Sequence, residues 1–162
     1  MKKYLLLVAI IFASCAEQKQ EPKTAGYSIR GEEESYMIGS DETTDFIKKW
    51  ADAHNERDME SILSMEKADI KIELPDGTVI NGQDEHSKVL ESFFDNNVTW
   101  KPYWMLPYNS VVAKETWVIA GFALTSNVDG EENVVLHMGD IQLEDGLVSR
   151  IIVYENQRPK KQ

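Results

Sequence analysis

Apolar and polar positions along this chain change period several times, and each change marks an element. Phe46, Ile47, Trp50, Ala53 and His54 fall at helical spacing on one face. Ser40, Asp41 and Glu42 ahead of them supply a cap and two acids where a helix start favours negative charge. Asn55-Glu56-Arg57 breaks the pattern, and Asp58 caps a short second helix that buries Met59, Ile62 and Leu63. The period then drops to two. Ile70, Ile72 and Leu74 point inward and Asp69, Lys71 and Glu73 outward, until Pro75-Asp76-Gly77 turns the chain. After Gly82, helical spacing returns with Val89, Leu90, Phe93 and Phe94.

The remainder reads as strands. Residues 98–106 place Val98, Trp100, Trp104 and Leu106 on one face, and Pro102 and Pro107 point to an edge or a bulge because neither can donate to a ladder. Residues 114–125 are rich in strand formers and close on Asp129-Gly130, a hairpin signal. Residues 134–143 alternate, with Val135, His137, Gly139, Ile141 and Leu143 on one side and Asp140 and Gln142 on the other. Asp145-Gly146 then leads into residues 147–154. Helices first and linked strands after predict an α+β domain: a strongly curved, mostly antiparallel sheet wrapped around three N-terminal helices, cone-shaped and able to hold a pocket. Both faces of the sheet are apolar. Val118, Ala120, Phe122 and Leu124 oppose Trp117, Ile119, Gly121 and Ala123, and Ile151 and Val153 oppose Val148, Ile152 and Tyr154. Such a sheet needs two covers, the helices supply one, and a second copy of the chain is expected on the other.

Composition changes this picture little. At 42% hydrophobic and 28% charged, the chain is that of an ordinary globular domain. Its net charge of −11 disfavours nucleic acid and anionic headgroups as partners. The N-terminus adds more. Lys2 and Lys3 precede an apolar run of about ten residues, short of the roughly 20 needed to span a bilayer, so it reads as an export signal. Phe12-Ala13-Ser14-Cys15 resembles the bacterial lipobox, with Phe12 in place of the more usual leucine. The resemblance implies a signal over residues 1–14, lipidation of Cys15, and an anchor in the cell envelope, the outer membrane being the expected site. Residues 15–40 then form a tether, of which Tyr36-Met37-Ile38 packs on a domain over 41–158. Cys15 is the only cysteine, so an internal disulfide is excluded.

The order of these elements resembles the nuclear transport factor 2-like fold, a cystatin-like roll, and within it the SnoaL-like and ketosteroid isomerase-like branch. Residues 50–65, 68–82 and 140–154 carry the resemblance. The isomerase branch implies a strand carboxylate before the Pro-x-Gly turn, a tyrosine in the first helix and a protonated carboxyl on the penultimate strand. Here those positions hold Leu74, Trp50 and Gly139, and Asp140 beside the last faces the other way. Steroid isomerisation is therefore not expected.

His54 and His137 are the remaining acid–base candidates, since an imidazole titrates near neutral pH. The plainer role for each is a ring satisfied by a carbonyl or water, and it is preferred because no carboxylate is evident in sequence to orient either. His54, His86 and His137 lack the close spacings of a zinc site, so no metal and no cofactor are expected. Trp50, His54, Leu74, Trp100, Trp104, Phe122, His137 and Ile141 are the expected pocket residues. The leading expectation is a membrane-tethered, non-catalytic binder of a small apolar or aromatic molecule. A SnoaL-like cyclase, hydratase or isomerase using a pocket histidine, and a partner-binding scaffold with a filled pocket, stand as alternatives. A histidine bonded to a carboxylate inside the cavity would favour the enzyme.

Overall fold

The protein is described by a computed structural model covering residues 23–26, 34–128 and 130–155. The export signal, Cys15, most of the tether and Asp129 of the first hairpin turn lie outside the described residues. Among the described residues the helices are α1 (Asp41–Glu56), α2 (Met59–Ser64) and α3 (Gly82–Asp95). The strands are β1 (Tyr36–Ile38), β2 (Glu66–Glu73), β3 (Val79–Asn81), β4 (Thr99–Ser110), β5 (Thr116–Val128), β6 (Glu131–Glu144) and β7 (Leu147–Glu155). They form one sheet in the order β1-β4-β5-β6-β7-β2-β3, antiparallel throughout except where β2 joins β7 in parallel. This is the expected α+β architecture.

Local chemistry sets the helix boundaries. The Ser40 side chain accepts the Glu42 amide at 3.1 Å, and α1 ends at Arg57, whose φ of 59° is left-handed. Asp58 then caps α2 through the Ser61 amide at 3.0 Å. The buried face of the helices (Ile47, Trp50, Ala53, Ile62, Leu90) packs on Ile70, Ile72, Val118, Ala120, Phe122, Ile141, Val148 and Ile151 from the sheet.

Three expectations need correction, and a bulge explains two of them. In β4, register passes from Pro102 opposite Phe122 to Trp104 opposite Gly121, with Tyr103 left over. Trp100 therefore stays inside, whereas Trp104 and Leu106 turn to the outer face and are exposed. The Trp104 and Tyr103 rings lie over Gly121, where a β-carbon would collide with them. A second bulge falls between β6 and β7, where Gln142 opposes Arg150 and Leu143 opposes Val148. It carries Val148 into the core beside Ile151, rather than to the outer face. The third correction concerns length: β2 begins at Glu66, three residues before the alternation becomes visible. Tyr36–Ile38, expected to pack on the domain, pairs as β1 with the far end of β4. The Glu34 carboxylate fastens that N-terminal segment by accepting the amides of Val111, Val112 and Ala113 at 2.8–2.9 Å.

Candidate ligand and proton-transfer site

Trp50 and His54 stand one helical turn apart, so their side chains share the inner face of α1. Trp50 is buried, and its indole N–H donates to Glu66 Oε1 at 2.8 Å. His54 Nδ1–H donates to the Trp50 carbonyl at 2.7 Å, which places the lone pair of that ring on Nε2. The next helix residue, Asn55, reaches the edge of the sheet. Its side chain donates to the Trp100 carbonyl and accepts the Trp100 amide, both at 2.8 Å. This clamp supplies the hydrogen bonds an edge strand lacks and sets Trp100 against Phe122, stacked at 4.1 Å with 18° between planes.

Glu66 enters from the start of β2, with its side chain fully buried. Its second oxygen, Oε2, accepts from Nδ1 of His86 on α3 at 3.0 Å. Gln83, one turn earlier on α3, donates to the Leu63 and Glu66 carbonyls at 2.6 and 3.0 Å and holds that helix to the strand. Both carboxylate oxygens are thus matched to donors, which is the condition for keeping such a group inside. His86 is left with Nδ1 occupied and, among the described residues, no partner on Nε2.

Above these groups is a cavity of about 180 Å³ with an almost wholly apolar lining. Trp50, Trp100, Phe122, Leu74, Ile72 and Leu90 form its walls, and His54, His86 and His137 supply its polar atoms. Val89, partly exposed, stands at its rim. Burial pushes the His54 imidazole down to about 4, the bond to the Trp50 carbonyl opposing this and the neighbouring His86 adding to it. His54 is therefore neutral at pH 7. His137 sits across the cavity with Nε2 3.5 Å from a Glu155 oxygen. Burial also lowers its pKa, and Glu155 works against that.

Of the pocket residues expected from sequence, Trp50, His54, Leu74, Trp100, Phe122 and His137 line the cavity. Trp104 does not, because the bulge turns it outward. Ile141 is fully buried in the core beneath the cavity rather than in its wall. Leu74, Trp50 and Gly139 all border the cavity, so the isomerase-type positions bring no carboxyl or phenol into it. Asp140 lies on the outer side, accepting from the Tyr108 hydroxyl at 3.0 Å.

Sequence reasoning missed Glu66 and His86. The histidine had a signal: stepping back four residues from Leu90 along the apolar face of α3 lands on it. Glu66 had none, because exposed Ala68 and Asp69 separate it from the alternating run. His54 and His86, far apart in sequence, come close to Glu66 because three separate elements converge here.

No protein-family model matches the chain, and no curated protein matches it in sequence. Solved structures do. The chain is similar to a candidate ketosteroid isomerase of Kribbella flavida (17% identity, 77% of this chain and 85% of that one, TM-score 0.62). It is similar to a candidate polyketide cyclase of Xanthomonas campestris (14% identity, 72% and 91%, TM-score 0.58). A third similar structure is an epoxide hydrolase/cyclase-like enzyme with a role in pyran ring formation in the polyether salinomycin (16% identity, 72% and 92%, TM-score 0.62). At these identities the likeness establishes the fold, the cone-shaped nuclear transport factor 2-like fold of ketosteroid isomerase and SnoaL-like polyketide cyclase neighbours.

Proposed function

We propose that the cavity is the site of an enzyme that moves a proton on a small apolar or aromatic substrate, with His86 Nε2 as the proton acceptor. One observation carries this reading: the buried Glu66–His86 bond of 3.0 Å beneath an apolar cavity. The carboxylate fixes the proton on Nδ1 and stabilises the imidazolium that forms when Nε2 takes a second one. His54, neutral and close by, positions the substrate through its own Nε2. An enclosed apolar cavity of about 150 Å³ can hold benzene, so this volume suits a substrate of about one ring. The similar structures are described as an isomerase, a cyclase and an epoxide hydrolase/cyclase-like enzyme, which supports an enzyme reading without naming a substrate. Non-catalytic retention of the same molecule is the second reading, favoured by the scarcity of polar atoms in the wall.

The proposal extends to the chain's setting. Cys15 carries the lipid that tethers the domain in the envelope, and a second copy covers the outer face of the sheet, where Trp104, Leu106, Met138 and Tyr154 are exposed together. Metabolic labelling with a fatty acid tests the first point, and loss of label in Cys15→Ser is the expected result.

Native mass spectrometry of protein from its own host tests the site. Wild type should release a small apolar molecule, and His86→Gln should retain an unreacted form differing in mass or retention time. An identical molecule from both proteins would reduce the site to a binder. A cavity that comes through purification empty in both, and takes up no aromatic fragment, would overturn the reading.

A further inference from the structure

The floor of the cavity has a property that proton transfer does not use. His54, Glu66 and His86 come from α1, β2 and α3, all three are buried, and each brings one metal-ligating atom within 4.8 Å of the other two. The two imidazole rings lie with centroids 6.0 Å apart and 40° between their planes. Each has its Nδ1 committed, His54 to the Trp50 carbonyl and His86 to Glu66. A carbonyl oxygen accepts only, so the His54 proton is on Nδ1, and the carboxylate holds the His86 proton in the same place. That leaves two Nε2 lone pairs with no protein partner among the described residues. No side-chain nitrogen or oxygen there is sealed from solvent without a partner, so neither Nε2 is closed off, and both rings line the cavity.

We infer that this floor binds one divalent transition-metal ion, held by Nε2 of His54 and Nε2 of His86. Glu66 stands behind His86 as the outer carboxylate that fixes its tautomer and ring orientation, the arrangement common behind metal-bound imidazoles. The donor chemistry selects the class of ion. Imidazole nitrogen suits zinc, cobalt, nickel or copper, whereas magnesium and calcium want a cage of oxygens that this apolar wall does not offer. Two protein ligands leave further positions of the ion open to the cavity, for water or for an oxygen of a bound molecule. The inference goes beyond the proposed function and competes with it, because a cation and a proton cannot occupy the same lone pair of His86. Added metal would therefore silence a His86-dependent proton transfer.

The test uses the full chain, stripped with a chelator and titrated with Co²⁺ alone at pH 7.5. Binding of one equivalent at micromolar concentration, with visible ligand-field bands, is expected. His86→Gln should remove the bands, Glu66→Gln should weaken binding about 10- to 100-fold, and His137→Gln should leave it unchanged. His54→Gln should match His86→Gln, and the His86 and Glu66 variants decide the matter if that one does not fold. Absence of binding at these concentrations overturns the site, as does binding that His86→Gln leaves intact. Retention of a small molecule is measured on chelator-treated protein, so this inference and the proposed function can fail separately.

Discussion

Oε2 of Glu66 lies 3.0 Å from Nδ1 of His86, although twenty residues separate them and neither side chain is more than 7% exposed. Trp50 occupies the other oxygen, so one buried carboxylate serves two buried donors from two helices. Truncation at this position exposes the arrangement. Glu66→Ala leaves an indole N–H and an imidazole N–H without partners, each costing about 1–3 kcal/mol. Urea denaturation should show a loss of about 2–6 kcal/mol.

Glu66→Gln separates chemistry from stability. The amide oxygen can still accept from Trp50, but its NH₂ group then faces His86 Nδ1 and favours the tautomer with the proton on Nε2. Long-range ¹H–¹⁵N spectra of the His86 ring should show that exchange of roles, with a smaller loss of stability than in Glu66→Ala. An unchanged tautomer would mean that Glu66 does not orient the ring.

His54 makes stability depend on pH. Its pKa is about 4 in the folded protein because it is buried, and near 6.5 when unfolded. Between those values the unfolded chain binds a proton that the folded one refuses. The contribution is therefore complete above about pH 6.5 and is lost as pH falls toward 4, amounting to about 3 kcal/mol. Urea midpoints measured from pH 7.5 to 4.5 should fall accordingly, and His54→Phe should flatten that part of the slope. An equal slope in both proteins would assign the acid sensitivity elsewhere.

The outer face of the sheet makes a separate claim. Trp104 and Leu106 are each more than 40% exposed on a surface where aromatic and aliphatic groups adjoin. Sedimentation velocity should show a dimer at micromolar concentration, and Trp104→Glu with Leu106→Glu should convert it to monomer with little loss of fold. A wild-type monomer at that concentration would contradict the second copy.

Much of this fold is legible in the chain because period and turn chemistry agree. Ser40 and Asp58 cap the helices they precede, and Asp145-Gly146 turns β6 into β7. Alternation fails where a bulge adds one residue. Tyr103 and Ser149 each break the count, which is why Trp104 and Val148 were expected on the wrong faces. The site was legible only on its aromatic side, where Trp50, Trp100 and Phe122 announce themselves by size. Its polar floor was not. Glu66 looks like any acid between a helix and a strand, and only the approach of α1 and α3 shows that it has two buried donors.

The central claim is that the cavity holds a small molecule over His86. Protein-observed NMR with compact aromatic probes, phenol and indole, tests it most directly. Shifts concentrated at Trp50, Trp100, Phe122 and His86, and weakened in Trp100→Ala, are the predicted result. Probes that leave those residues unmoved at millimolar concentration, or that map only to Trp104 and the outer face, would contradict it.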